Sequence, residues 1–361
     1  MHTPMRGDMA EHVELLGSVN ETENRAAPLL AICIPTLNRR IALEECLESV
    51  LPQADALGVG VCVSDNSSSD DTWQALETLK RQYPWMQIMH HTRDIGYRDN
   101  LTGVVLSSHA HYVWPIGDKY VLLPGALEYV MSVLVHLHPD VVVVSSPDTV
   151  VKTGEKTYSA PQSCLVEIGG HTTLLGATVL PRQAFIDVLH VQPLSRVFPQ
   201  VVDLFSYLAS LSAPQVLFSG RVLIQLGKSA IEDYGVSPYA YRTLEVWGRN
   251  WYDAVMSLPA LYSANDKLQA VTKFWKWTGF WRLGNLVRLR VQGQLTLQQV
   301  NADQVSLRAA VSIPWCWVVI ISVVPRWILW PVLYVHPQLM LRAMRRRLRF
   351  RRGQQAHRSA Q

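Results

Sequence analysis

The sequence contains few cysteines and few charged residues for its length. Five cysteines, at positions 33, 46, 62, 164 and 316, stand among 361 residues, and no two of them have the spacing of a metal site. We therefore expect free, buried thiols in a protein of a reducing compartment. Charged residues make up 17% of the chain and apolar residues 48%. This balance excludes an intrinsically disordered chain and indicates folded domains with a large core.

The N-terminal residues lack the apolar core of a signal peptide. The first eighteen residues, MHTPMRGDMAEHVELLGS, contain acids and no apolar run. We expect residues 1–28 to form a flexible leader.

The sequence also lacks a basic surface spread along the chain. Residues 339–361 hold eight arginines and no acid, whereas the whole chain has a net charge of only +4, so the preceding residues carry about −4. This distribution disfavours a nucleic-acid-binding protein, because the basic charge is confined to one terminal block that follows a hydrophobic segment.

Short apolar runs alternate with helical patterns in the first part of the chain. The alternation predicts an α/β domain with a doubly wound, mostly parallel sheet flanked by helices. We place this domain at 29–235 and a helical, tryptophan-rich region at 236–311. A further apolar run at 164–168 is interpreted as a strand. The five strands predicted in the first part are 29–34, 59–63, 86–89, 112–116 and 140–144.

The stretch VCVSDNSSSDDTW at 61–73 predicts a buried strand that ends in a polar loop and a capped helix. Ligands of open α/β sheets bind just outside the carboxyl ends of the strands, where Asp65 and Asn66 stand. A strand-to-helix turn without a ligand explains the same residues equally well.

The hydrophobic segment 312–338 is long enough to cross a bilayer. Pro314, Pro325, Pro331 and a central Arg326 argue against a straight spanning helix, whereas the tryptophans of the segment favour the membrane interface. We expect a kinked hairpin or re-entrant anchor on the cytoplasmic face of the plasma (inner) membrane, where the basic tail 339–361 meets anionic lipid. The alternative is a buried core helix followed by a disordered tail.

Four motifs in series resemble those of the family 2 glycosyltransferases. They read AICIPTLNR at 31–39, VCVSDNSSSDDT at 61–72, RDIGYRDN at 93–100 and WPIGDKYVLLPGAL at 114–127. The resemblance covers about residues 29–140. It implies a GT-A fold and an inverting enzyme that uses a nucleotide-diphospho sugar.

The resemblance also implies a set of residues that bind the donor. Pro35 and Thr36 at the end of the first strand, together with Asp65, take the nucleotide-contact positions. The segment from Asp94 through Gly96 to Asn100 resembles the family's Asn-x-Gly-x-x-x-Asn, with aspartate in place of the first asparagine. For Asn100 a structural role is at least as well supported as ligand contact. The remaining residues assigned to the donor site are Asn38, Asn66, Asp118 and Lys119.

The fourth motif departs from the family's acidic pattern. The family reads Gly-Asp-Asp-Asp or a similar Asp-x-Asp, which holds Mg²⁺ or Mn²⁺, and this chain reads Gly117-Asp118-Lys119-Tyr120. Asp118 is then the single metal-ligand candidate. Our hypothesis is that Lys119 supplies part of the positive charge that the metal would bring to the leaving diphosphate. The opposing interpretation is a site that has lost catalysis.

An inverting transfer needs a general base close to the acceptor hydroxyl. Asp203, in the apolar context FPQVVDLFSYLAS, is the best acid for this role, although a charge at a helix start without function explains it too. The weaker candidates are His171, Asp187, Glu232 and Asp233.

These observations favour a membrane-associated hexosyl- or deoxyhexosyltransferase that acts on a saccharide or lipid-linked acceptor in cell-surface glycan synthesis. The alternative is a non-catalytic nucleotide-sugar-binding protein. A dinucleotide-dependent oxidoreductase is disfavoured, because the first strand is followed by Pro35-Thr36-Leu37-Asn38 and not by Gly-x-Gly-x-x-Gly.

Overall fold

A computed structural model of the chain describes residues 27–146, 154–188, 197–233, 242–311 and 313–334. Most of the predicted leader and the whole of the basic tail 339–361 lie outside these residues.

Four parallel strands form the first half of the central sheet, in the order β3-β2-β1-β4. Three helices connect them in βαβ units, as the alternating pattern predicts. The strands are β1 (Leu30–Thr36), β2 (Gly60–Asp65), β3 (Gln87–His90) and β4 (Tyr112–Pro115), and the helices are α1 (Arg40–Leu57), α2 (Thr72–Gln82) and α3 (Tyr97–Ser107).

The second half of the sheet continues from β4 in the order β8-β6-β9-β7. Strand β8 is antiparallel to its neighbours β4 and β6. Strands β6 and β9 run parallel to each other, and β7 is antiparallel to β9. A separate two-stranded antiparallel sheet joins β5 to β10. The strands are β5 (Tyr120–Leu122), β6 (Val141–Ser145), β7 (Lys156–Tyr158), β8 (Thr178–Pro181), β9 (Val216–Val222) and β10 (Ile224–Leu226).

The helices of this part surround the sheet and then continue as a helical C-terminal region. They are α4 (Ala126–Leu137), α5 (Pro161–Ile168), a 3₁₀-helix (Gly169–Thr173), α6 (Arg182–Asp187), α7 (Pro199–Ser210), α8 (Lys228–Asp233), a π-helix (Leu244–Asn250), α9 (Trp251–Met256), α10 (Ala264–Thr278), α11 (Leu283–Val291), α12 (Leu297–Ala302), α13 (Gln304–Ala310), α14 (Trp315–Val323) and α15 (Arg326–Tyr334). The predicted class, an α/β sheet flanked by helices and followed by a helical region, is confirmed.

The sheet separates two hydrophobic cores, because successive side chains of a strand point to opposite faces. Ile32 and Ile34 belong to the core beneath α1, whereas Cys33 belongs to the core that the second half of the chain covers. Four of the five cysteines are buried free thiols, as expected, and Cys316 is exposed.

The strand predicted at 164–168 is wrong, because this stretch belongs to α5. Pro161 stands in the first turn, where its missing N–H leaves no hydrogen bond unmade. Cys164, Leu165 and Ile168 are buried at helical spacing.

The hydrophobic segment forms two nine-residue helices, α14 and α15, separated by Val324 and Pro325. Within the described residues, no helix has both the length and the apolar character needed to cross a membrane. Val318, Ile321 and Ser322 face the protein and are buried, whereas several large apolar side chains on the two helices are exposed.

Candidate active site

Three neighbouring parallel strands bring the predicted donor residues to one edge of the sheet. Thr36 ends β1 and pairs in register with Asp65, the last residue of β2. The backbone N–H of Asn66 donates to the carbonyl oxygen of Thr36 at 2.9 Å, and that of Ile116, after β4, donates to Cys33 at 2.9 Å. The geometry is that of a ligand site outside the carboxyl ends of the strands.

Asp65 is fully buried at this edge, and both of its carboxylate oxygens have partners in the protein. Oδ1 accepts from the backbone N–H of Ser68 at 3.2 Å and from its hydroxyl, and Oδ2 lies 2.9 Å from Nδ1 of His90. The His90 ring packs at 4.9 Å from that of Trp73. Asp65 therefore holds the loop after β2 in place, and its predicted contact with a ligand stays a prediction.

Asn66 connects the loop after β2 to the loop before α3. Its Nδ2 donates to Oδ1 of Asp94 at 2.6 Å, and its Oδ1 accepts from the N–H of Ile95 at 2.9 Å. Gly96 has a positive φ of 86° and donates to the same Asp94 oxygen at 2.8 Å. A side chain is strained at such a φ, so glycine suits this turn.

The structure gives Asn100 and Asn38 structural contacts. Asn100 is buried, where its Oδ1 accepts from the Ser64 hydroxyl at 2.6 Å and its Nδ2 donates to the Ser64 carbonyl at 3.2 Å. Asn38 has a positive φ, and its Oδ1 accepts from the N–H of Ser69 at 2.7 Å. Both residues thus tie the site's loops together. Pro35 is buried within β1.

Asp118 lies in the loop after β4, beside Thr36 and Arg39. Oγ1 of Thr36 donates to Oδ2 of Asp118 at 2.9 Å, and Nε of Arg39 lies 3.8 Å from the same oxygen. Burial raises the pKa of the Asp118 carboxyl, while Arg39 and the Thr36 hydrogen bond oppose that rise.

Lys119 takes the place of an acid in the family's motif and lies in a turn fixed from two sides. The N–H of Tyr120 donates to the carbonyl of Gly117 at 2.9 Å, and the N–H of Gly227 donates to the carbonyl of Lys119 at 2.9 Å. Its Nζ lies 5.5 Å from the centre of the Tyr120 ring. Burial and, next, the charge of Arg39 lower the pKa of the Lys119 amine.

These residues do not fit Mg²⁺ or Mn²⁺, which need several oxygen donors around one position. Asp118 offers one carboxylate whose Oδ2 is already occupied by Thr36 and Arg39, and the next residue is a cation. Across the described ranges, His, Cys, Asp and Glu side chains form no group of three that could hold a metal ion.

Asp203, the predicted base, stands on α7 and forms an ion pair with the first turn of α3. Its Oδ1 lies 3.3 Å from Nη2 of Arg98, and it lines a small cavity together with Pro115 at the end of β4. Burial raises the pKa of Asp203 to about 6, although Arg98 opposes the rise. A carboxyl that ionises near neutral pH suits a general base.

The weaker base candidates differ in their surroundings. His171 is buried and stacks on Trp277 at 4.9 Å, and burial lowers its pKa to about 4. Asp187 is exposed and accepts from Gln183 at 2.8 Å, and Glu232 and Asp233 end α8.

Residues 31–186 match the family described as Glycosyl transferase family 2. These residues form a family 2 glycosyltransferase domain. The resemblance seen in the four motifs is therefore confirmed, and the site just described lies within the matched range, except for Asp203.

Two curated relatives with sequences similar to this chain are named glycosyltransferases. The chain is 30% identical over 108 residues to abequosyltransferase RfbV of Salmonella typhimurium. The aligned residues cover 29% of this chain and 32% of the relative. It is 29% identical over 106 residues to GalNAc(5)-diNAcBac-PP-undecaprenol beta-1,3-glucosyltransferase of Campylobacter jejuni. The aligned residues cover 29% of this chain and 34% of that protein. The matches thus span about a third of these relatives.

The fold of the chain also resembles that of TarS 1-349 from S. aureus, solved in complex with UDP-GlcNAc. The TM-score is 0.53 at 15% identity, with 78% of this chain and 83% of the other covered. The likeness supports the predicted GT-A fold.

Two residues of the family 2 domain that shape the site are absent from the sequence-based set. Arg39 stands beside Asp118, and His90 stands beside Asp65. Only their positions in the sequence could have identified them. Arg39 directly follows Pro35-Thr36-Leu37-Asn38, and His90 ends the third strand.

Proposed function

We propose that the chain transfers a sugar from a nucleotide-diphospho sugar to a saccharide or lipid-linked acceptor, with inversion at the anomeric carbon. The observation that carries the proposal is the junction of Thr36, Asn66 and Asp118 at one edge of three adjacent strands of a family 2 domain. This edge is where an α/β sheet binds a nucleotide.

Asp203 acts as the general base in the proposed step. Its carboxylate takes the proton of the acceptor hydroxyl, the acceptor oxygen bonds to the anomeric carbon, and the bond from that carbon to the diphosphate breaks. A single displacement of this kind inverts the anomeric configuration. The ion pair with Arg98 orients the carboxylate while its burial keeps it a usable base near neutral pH.

A lipid-linked acceptor is supported by a relative and by the surface of the C-terminal helices. The C. jejuni relative is named for a PP-undecaprenol-linked saccharide. Trp327 is 75% exposed and Trp317 52% exposed, next to exposed Ile320, Val323 and Ile328. We propose that this surface rests in the interface of an anionic bilayer, on the cytoplasmic face of the inner membrane, and that the arginines of 339–361 contribute attraction to anionic lipid.

The position of Arg326 agrees with an interfacial placement. Its Nη2 lies so close to Gly293 that a Cβ there would be only 2.7 Å away, so the guanidinium packs against the loop after α11. This contact directs the guanidinium of Arg326, which is an exposed residue, towards the loop after α11.

A thermal-shift screen followed by a transfer assay tests the enzymatic proposal. UDP-, GDP-, CDP- and dTDP-sugars are added with and without Mn²⁺, and a donor that binds the folded state raises the melting temperature. The stabilising donor is then incubated with lipid-linked saccharide extract, and Asp203→Asn is expected to lower turnover by about 100-fold or more. Binding without any transfer would favour the non-catalytic alternative, and no binding to any of the four would contradict the proposal.

Vesicle flotation tests the membrane proposal. The protein is expected to float with vesicles that contain phosphatidylglycerol, and to float less after the double substitution Trp317→Ser and Trp327→Ser. Trp85→Ser, on the partly exposed loop before β3, is the matched control. Equal flotation of the double variant and wild type would contradict the assigned surface.

A further inference from the structure

Two cations and one carboxylate lie together where the acidic motif of the family would stand. Nε of Arg39 is 3.8 Å from Asp118, and Lys119 follows Asp118 in the chain. With both side chains charged, this cluster has a net charge of +1.

Asp118 is engaged within the protein. It is 8% exposed, and its Oδ2 accepts from Thr36 and faces Arg39. Asp94, an acid of the loop before α3, accepts at Oδ1 from Nδ2 of Asn66 and from the N–H of Gly96. Each carboxylate thus has one oxygen engaged within the protein, and a divalent cation at Asp118 would approach the two positive charges of Arg39 and Lys119.

Lys119 is held next to Asp118, whose carboxylate faces Arg39, and the charges of Asp118 and Arg39 both act on its amine. The turn Gly117–Tyr120 and the pairing of β5 with β10 fix its backbone on both sides. Among the described residues, no carboxylate forms an ion pair with its Nζ, and the charge of Arg39 acts against that of Lys119. An anion placed between the two side chains relieves this repulsion.

We infer that Arg39 and Lys119 together bind the donor's diphosphate and neutralise it as it leaves, in place of a divalent metal ion. The inference rests on the proposed function. When the bond from the sugar to the diphosphate breaks, the nucleoside diphosphate gains a negative charge, and the acceptor's proton passes to Asp203. Fixed cations at the leaving oxygens stabilise that charge without the reorganisation of solvent.

Calorimetric titration with the nucleoside diphosphate selected by the donor screen, in EDTA and in Mn²⁺, tests the inference. Wild type is expected to bind equally well in both buffers. Arg39→Gln and Lys119→Gln are each expected to lose about tenfold or more in affinity for the diphosphate. The loss should be smaller for the matching monophosphate, a difference that general damage to the fold would not produce.

Arg40→Gln is the matched control. Arg40 is the next residue along the chain, and its guanidinium pairs with Glu44 and Asp71 on the outer surface. Its substitution should leave diphosphate affinity unchanged, and melting temperatures confirm that each variant is folded.

Lys119→Asp provides a second test, because it places a second carboxylate next to Asp118. Its binding of the diphosphate is expected to become dependent on Mn²⁺. Wild-type binding that disappears in EDTA, with no loss in Lys119→Gln, would overturn the inference and leave the proposed function standing. Failure of wild type to bind any nucleotide in either buffer would instead remove the proposed function.

Discussion

Oγ1 of Thr36 donates a hydrogen bond to Oδ2 of Asp118 across 82 positions of sequence, at 2.9 Å. Both residues are buried, so this bond joins the ends of β1 and β4 at the point where the donor is expected to bind. It also opposes the effect of burial on the Asp118 carboxyl.

Thr36→Val should lower the free energy of unfolding by about 1–2 kcal/mol, because a buried acceptor loses its hydroxyl partner. The hydrogen bond favours the ionised carboxyl, so the loss should be larger at pH 7 than at pH 4, where Asp118 is more protonated. Urea denaturation at the two pH values measures it. Thr78→Val, on the exposed face of α2, is the control and should change stability by less than about 0.5 kcal/mol.

Asn66→Ala should loosen the loop before α3, because it removes the two hydrogen bonds that reach Asp94 and Ile95. Hydrogen exchange of the Ile95 amide is expected to accelerate, while amides in the middle of α1 keep their protection. Nucleotide affinity should fall in parallel. Unchanged exchange at Ile95 would show that Asn66 is not what holds this loop.

Asp203 should make the protein less stable as the pH rises from about 4 to about 6. The unfolded carboxyl loses its proton near its ordinary pKa of 3.8, whereas the folded one keeps it to about 6. Between these two pKa values the folded state binds more protons than the unfolded state. The stabilisation is therefore fully present at low pH and is lost as the pH rises through the pKa of the folded state. The full difference is about 3 kcal/mol.

Asp203→Asn should remove this part of the pH dependence, measured by chemical denaturation between pH 4 and 7.5. Asp187→Asn, at an exposed carboxylate, is the control. Turnover by wild type should rise with pH to a plateau with a midpoint near 6, since the ionised form is the base. A rate that does not change across this range would argue against Asp203 as the base.

Two glycines should respond oppositely to substitution by alanine. A Cβ at Gly170 would lie 2.6 Å from Cδ2 of buried Phe274, so Gly170→Ala should lower the free energy of unfolding by about 1–3 kcal/mol. Gly103, in α3, has no atom within 4 Å of the added Cβ. Gly103→Ala should raise stability by about 0.5–1 kcal/mol. Denaturation curves of the pair check the packing between the 3₁₀-helix and α10.

The alternation of apolar runs was sufficient to predict the first four strands, because parallel strands buried on both faces leave a strong pattern. The same pattern could not predict that β8 pairs antiparallel between β4 and β6, because the order of strands in a sheet depends on contacts between residues distant in sequence. The motifs likewise led to Thr36, which ends β1, and to Asp118, which lies in the loop after β4. The pair of Asp203 with Arg98 was not predictable, because it joins side chains 105 positions apart.

The bond from the Gly227 N–H to the Lys119 carbonyl has a consequence for communication within the protein. It ties a residue of the donor site to β10, which belongs to the second half of the chain. A ligand that shifts β10 changes the position of Lys119, and therefore the affinity for the donor. By thermodynamic reciprocity, the donor changes the affinity for that ligand by the same factor. An acceptor that shifts β10 would then bind cooperatively with the donor, through the β5–β10 pairing and this backbone hydrogen bond.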